Sequence, residues 1–155
     1  MSLENFFNEL DLKTETSLAG KFADERLEWN ETVEKLSGKM KKIFDIPTLM
    51  TEIYTERSRC LEYYHYLISI SIKLNRNYRA QQVEKYEFWT HKSQIRYPNE
   101  TSKNNKILTQ LADIVEQRET IDNHAKFILS TVSTIDNIIY AIPKRVEIEQ
   151  MSRGK

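Results

Sequence analysis

Between Ile107 and Ile142 the apolar side chains recur at alternating spacings of four and three, through Ile107, Leu111, Ile114, Arg118, Ile121, Ala125, Ile128, Val132, Ile135, Ile139 and Ile142. A repeat of 3.5 residues keeps one stripe facing a partner over many turns only if helices supercoil, so this span predicts a coiled-coil-like helix. At about 1.5 Å per residue it would run roughly 50 Å, longer than a globule of this size needs. A rod of that length calls for partners, and the seam residues Ile114, Arg118, Ile121, Ile128, Val132, Ile135, Ile139 and Ile142 are the expected homo-oligomerisation surface. Arg118 stands where a hydrophobe belongs. Two readings apply to it: a charge at one core position that fixes register or oligomeric state, or a long stem that snorkels to the helix edge.

The punctuation of the chain points the same way. Only three Gly and three Pro occur among 155 residues, which disfavours the many turns of all-β and α/β architectures. With 39% hydrophobic and 30% charged residues, the expected fold class is all-α, with elongated helices that have broad wet faces. The length suggests one helical domain over residues 1–155. Within it, N-terminal helices occupy 1–46, a basic and aromatic helical region 48–97, the long oligomerisation helix 102–142 and a tail 143–155. A lone cysteine, Cys60, rules out an intrachain disulfide and a cysteine metal cluster. No uninterrupted apolar run reaches the ~18 residues of a membrane span, and the acidic start lacks the layout of a signal peptide. The expectation is a soluble protein of the cytoplasm with no membrane partner.

In chain order, Leu3, Phe6, Phe7 and Leu10 suggest a short docking helix capped by Ser2. A longer helix is expected from about Ser17 to Ile43, with the seam Phe22, Arg26, Trp29, Val33, Leu36, Met40 and Ile43. It should end near Asp45, because Pro47 pushes Ile46 out of the α region. Thr48 is the expected cap of a second long helix whose seam reads Leu49, Ile53, Glu56, Cys60, Tyr63, Leu67, Ile70 and Leu74. From Asn75 the chain turns polar and basic, with Tyr78, Tyr86, Phe88, Trp89 and Tyr97 interspersed. Pro98 and the tract Asn99 to Asn105 predict a loop, Thr101 or Ser102 a cap for the last helix, and Pro143 its end or a kink.

Catalytic chemistry finds little support. The glycines stand apart at Gly20, Gly38 and Gly154, so no phosphate-cradling loop exists. His65, His91 and His124 are too far apart to be local metal ligands, and Cys60 sits on an apolar seam with no base nearby. Glu116 and Glu119 fit a solvated helix face. No enzyme activity, cofactor or metal is expected, although a site formed between subunits would need His65, His91 or acidic side chains to converge.

Charge is more informative than motif. Residues 1–56 carry 7 bases and 12 acids, residues 57–106 carry 10 bases and 4 acids, and residues 107–155 carry 6 bases and 7 acids. The middle third is therefore cationic, and it also holds eight of the sixteen aromatics. Single strands offer phosphates to Lys and Arg and unstacked bases to aromatic faces, so this composition fits single-stranded nucleic acid. No recognition helix, zinc finger or basic zipper speaks for duplex reading.

The run Glu-Arg-Ser-Arg-Cys-Leu-Glu-Tyr-Tyr, holding Arg57, Arg59, Tyr63 and Tyr64, resembles the UvsY recombination mediators of T-even-like phages, which carry a basic pair shortly before a Tyr-Tyr on a helix. Ile142, Arg145 and Ile148 look like the C-terminal Ile-x-x-Arg segment of that family. The resemblance spans about Glu52 to Met151. Where the family has a glycine after the tyrosine pair, this chain continues with His65, Tyr66 and Leu67, and Pro143 is an addition. The resemblance implies a homo-oligomeric ring of six or seven helical subunits that binds single-stranded DNA. Such a ring remodels the single-strand-binding protein and helps load a RecA-like recombinase. Together with the charge pattern it gives Arg57, Arg59, Tyr63, Tyr64, Lys73, Arg76, Arg79, Lys85, Lys92 and Arg96 as expected DNA contacts. The alternative from a different class is a helical scaffold or adaptor, such as a virion or complex subunit, whose seams hold protein partners only.

Overall fold

Two of the helices in this chain start at short side chains, Asp45 and Asn99, that accept hydrogen bonds from free N–H groups of the first turn. A computed structural model describes residues 17–41 and 45–154. Its helices are α1 Leu18–Met40, α2 Ile46–Glu87, α3 Glu100–Gln110 and α4 Ala112–Arg153, with no strand among the described residues. The all-α expectation is met. The docking helix expected around Leu3 to Leu10, and the seam position Ile43, lie outside the described residues.

Asp45, rather than Thr48, caps α2. Its Oδ1 accepts from the Thr48 backbone N–H at 3.1 Å and its Oδ2 from the Thr48 hydroxyl at 2.6 Å. These bonds hold the Asp45 carboxyl below its usual range. Ile46 is helical despite Pro47, because a proline in the first turn removes an N–H that has no intrahelical partner there. At the other end of the chain Pro143 lies inside α4, which runs on to Arg153, so the expected stop does not occur.

The chain forms two compact units, each built in part from α2 and α4. The first, Ala19–Tyr66 with His124–Lys155, is a three-helix bundle. In it α1 lies antiparallel to α2, as the pairs Lys39 with Glu52 and Glu25 with Tyr63 show. The α2 segment is antiparallel to α4, with Arg57 on Asp136 and the Cys60 thiol on the Ile128 carbonyl. The core is the expected seams brought together, with Ile138 in place of Ile139: Phe22, Trp29 and Leu36 from α1, Leu49, Ile53 and Cys60 from α2, and Ala125, Ile128, Val132, Ile135, Ile138 and Ile142 from α4.

The second unit holds Leu67–Asn123. Here α2 again runs antiparallel to α4, through Ser71 with Asp122 and Asn75 with Arg118. Past Glu87 the helix widens into one π turn, Phe88–Lys92, closed by the Ser93 N–H on the Phe88 carbonyl at 2.8 Å. The loop falls between Ser93 and Asn99, not over Asn99 to Asn105. Asn99, in an extended conformation, accepts from the Ser102 N–H at 2.8 Å and so starts α3 two to three residues before the expected caps. Leu111, at φ −102° and ψ 2°, interrupts the predicted rod for one residue between α3 and α4.

The long seam is consumed inside the chain. Ile121, Ile128, Val132, Ile135 and Ile142 are 0 to 5% exposed, whereas Ile114, Arg118 and Ile139 are half-buried. Helices α1 and α2 supply the covering partner that the heptad pattern demanded, so these residues are not an open surface for a second copy. Ile138 is buried while Ile139 is half-buried, so near this end the inward stripe turns away from the expected seam position toward its neighbour. Arg118 snorkels: its guanidinium donates to Asn75 Oδ1 at 3.3 Å and stands 5.7 Å from the Tyr78 ring centroid. A window of α4 has a mean hydropathy of 1.2 and is long and apolar enough by composition to cross a bilayer, which counting uninterrupted runs overlooks. Much of that apolarity is the bundle core just described.

Candidate nucleic-acid interface

The ten expected DNA contacts divide between the two units. Arg57, Arg59, Tyr63 and Tyr64 belong to the bundle, and each of the first three already has an internal partner. The Arg57 guanidinium meets Asp136 through two nitrogens, Nε to Oδ1 at 2.6 Å and a terminal nitrogen to Oδ2 at 3.4 Å. That pairing raises the Arg57 pKa. Arg59 pairs with Glu56 at 2.8 Å and lies 4.6 Å over the Trp29 ring, with its side chain still 60% exposed. The Tyr63 hydroxyl donates to Glu25 Oε2 at 2.5 Å. Tyr64, half-buried, packs edge-on against His65 at 5.4 Å.

Tyr63 is part of a buried cluster that no local pattern announces. His124 is fully buried, its ring stacks on Phe22 at 4.0 Å, and its Nε2 lies 2.9 Å from the same Glu25 oxygen. Burial alone would raise the Glu25 pKa, but the hydrogen bonds from His124 and Tyr63 outweigh it and hold the carboxyl low. Burial, and then the Glu25 bond, push the Tyr63 phenol up. Cys60 is likewise raised to about 11 by burial, so it is held as a thiol.

The second unit presents its cations differently. On α2 the buried residues Leu67, Ile70 and Leu74 define an inward stripe. At 100° per residue Arg76 and Arg79 fall on the opposite side and Lys73 on the flank, about a quarter-turn from the stripe, while Lys85 continues the inward stripe and is half-buried. Arg76, Arg79, Lys92 and Arg96 are exposed and form no ion pair among the described residues. Lys103, which sequence reading passed over, is the opposite case. Its side chain is 8% exposed, its ammonium lies 4.1 Å over the Tyr86 ring, and it donates to Thr90 at 3.0 Å and Glu100 at 2.8 Å. Glu100 raises the Lys103 pKa and Lys103 lowers that of Glu100.

Three rings gather at the π turn. Trp89 is perpendicular to Phe88 at 5.1 Å and to Tyr97 at 5.4 Å, and its indole N–H donates to Gln110 at 3.0 Å, which fixes the ring. Widened turns of this kind often mark functional sites. The signal for them in the sequence was the Phe-Trp pair inside an otherwise polar, basic stretch. His91 lies in this unit and His65 in the bundle. Among the described residues no three His, Cys, Asp or Glu side chains come together in a way that would hold a metal ion. Compared with known proteins, the chain matches no family model, no curated protein and no solved structure.

Proposed function

We propose that this chain binds single-stranded DNA and acts as a recombination mediator, helping to load a RecA-like recombinase onto strands covered by single-strand-binding protein. The observation that carries the binding step is the set of exposed cations Arg76, Arg79, Lys92 and Arg96 on the same unit as the fixed Trp89 ring. Phosphate contacts and ring faces are the two things a single strand requires of a protein that binds without reading sequence. The mediator role rests on the resemblance at Arg57, Arg59, Tyr63 and Tyr64 and at Ile142, Arg145 and Ile148. Because Arg57 and Tyr63 serve internal contacts, the strand is assigned chiefly to the second unit.

A subunit that neutralises a few phosphates binds weakly, and several linked copies overcome this by raising effective concentration. A homo-oligomer of six or seven subunits suits that need. With the seam buried, exposed Tyr140, Ile148 and Met151 on α4 are the better apolar surface for self-association. The test is binding of labelled poly-dT across a salt series to the wild type and to Arg76→Ala/Arg79→Ala. Deleting one phosphate-neutralising cation lowers the salt slope by about 0.7, so the double variant is expected to drop it by about 1.4 with helicity retained. An unchanged slope removes the assignment.

The adaptor reading has one observation in its favour. Ile72, Val83, Ile95 and Leu108 in the second unit are exposed by about half or more, and scattered apolar surface of this kind suits protein partners. It predicts self-association or partner capture with no affinity for oligonucleotides at moderate salt. Molar mass by light scattering, with and without poly-dT, separates the two.

A further inference from the structure

A cavity of about 380 Å³ opens at the turn between α2 and α3. Trp89 and Tyr97 give it two ring walls at right angles, with His91, Ser93 and Arg96 also lining it and buried Lys103 among them. Glu100 is the single acid that lines it, and its charge is met by Lys103 at 2.8 Å. The walls are held before any ligand arrives. Gln110 anchors the indole, the Ile95 N–H donates to the Ser93 hydroxyl oxygen at 3.1 Å, and Lys103 ties Thr90 to Glu100.

Resting on the strand-binding reading above, we infer that this cavity captures one unpaired base of the bound strand, stacked on Trp89, with its phosphate on Arg96. The volume lies in the range of small-ligand sites, and the lining combines π faces with donors and a cation, Arg96, that forms no ion pair among the described residues. A base inside a duplex has both faces covered by its neighbours, so the same cavity excludes paired DNA. Selectivity for single strands then comes from ring access as well as from charge. Within the second unit the outward cations Arg76 and Arg79 on α2 hold backbone only, whereas the cavity reads the base.

The test compares two oligonucleotides of equal length and equal charge, one of dT and one of abasic spacer, by fluorescence anisotropy against the full chain. The dT strand is expected to bind at least about fivefold more tightly, the low end of the stacking contribution of one base. Trp89→Ala should bring dT down to the abasic level and leave abasic binding unchanged. In Trp29→Phe, where Trp89 is the only indole, emission should be quenched by dT and not by the abasic strand. If the wild type binds both oligonucleotides equally, the base-capture site is overturned while strand binding stands. If dT is preferred but Trp89→Ala keeps that preference, the base is read elsewhere and the inference also fails. If neither strand binds, the functional reading itself falls. Where Trp89→Ala fails to fold, the quenching comparison in Trp29→Phe takes its place, and a dT preference without quenching of Trp89 overturns the inference.

Discussion

Replacing Tyr63 with Phe asks whether the aromatic pair that carries the family resemblance serves the fold or the strand. In the structure the Tyr63 hydroxyl and His124 Nε2 share one oxygen of Glu25, at 2.5 and 2.9 Å. A hydrogen bond to a charged acceptor contributes about 1.5 to 3 kcal/mol, and the Glu25 side chain is 23% exposed, so water can replace part of it. Tyr63→Phe is therefore expected to cost about 1.5 kcal/mol. Glu25→Ala strips the acceptor from both partners and should cost about 3 kcal/mol. The double variant should also cost about 3 rather than 4.5 kcal/mol, because the second change removes a bond already broken. With a urea slope of about 2 kcal/mol per molar, Tyr63→Phe lowers the unfolding midpoint by about 0.7 M.

Proton linkage gives a second readout of the same cluster. The folded Glu25 pKa lies below its ordinary 4.5, so its contribution is fully present above that value and disappears as pH falls through the folded pKa. The folded Tyr63 pKa lies above 10.0, so its contribution is present below pH 10 and is lost only as pH rises further, through the folded value. Unfolding followed by circular dichroism at pH 7 and at pH 3 to 4 should show the gap between wild type and Glu25→Ala narrowing in acid. A Tyr63→Phe protein that unfolds with the wild type yet binds poly-dT more weakly would refute the reasoning, since the hydroxyl would then belong to the strand.

Three further outcomes follow from single positions. Gly38 lies within α1 and an added methyl meets nothing within 4 Å, so Gly38→Ala should stabilise by about 0.5 to 1 kcal/mol in thermal unfolding. Asn99→Ala removes the cap of α3 and should cost about 1 kcal/mol, with faster amide hydrogen exchange at Ser102. The Cys60 thiol, buried with a pKa raised to about 11, should resist a disulfide reagent at pH 8 in the folded protein and react at once in denaturant.

Periodicity made the inward faces legible: Ile53, Cys60, Leu67, Ile70 and Leu74 on one helix and Ile121, Ile128, Val132 and Ile135 on another are all buried as the spacing required. What periodicity does not carry is the identity of the covering partner, and the stripe read as a surface between subunits is covered by the chain itself. Capping was legible in kind but not in position. Asp45 and Asn99 compete with nearby Thr48, Thr101 and Ser102, and the winner depends on which residue takes the extended conformation. The site was half legible, because exposure and pairing are three-dimensional. Arg57 and Arg76 look alike in the sequence, yet one faces Asp136, 79 positions away, and the other faces outward. Glu25 and His124, 99 positions apart, gave no sign at all.

The sequestered ammonium of Lys103 turns that corner of the protein into its own clock. Amine-reactive labels should modify the exposed lysines within minutes and reach Lys103, 8% exposed, only when α3 lifts from the widened turn, so the lag before its peptide gains mass, read by mass spectrometry, times that local release.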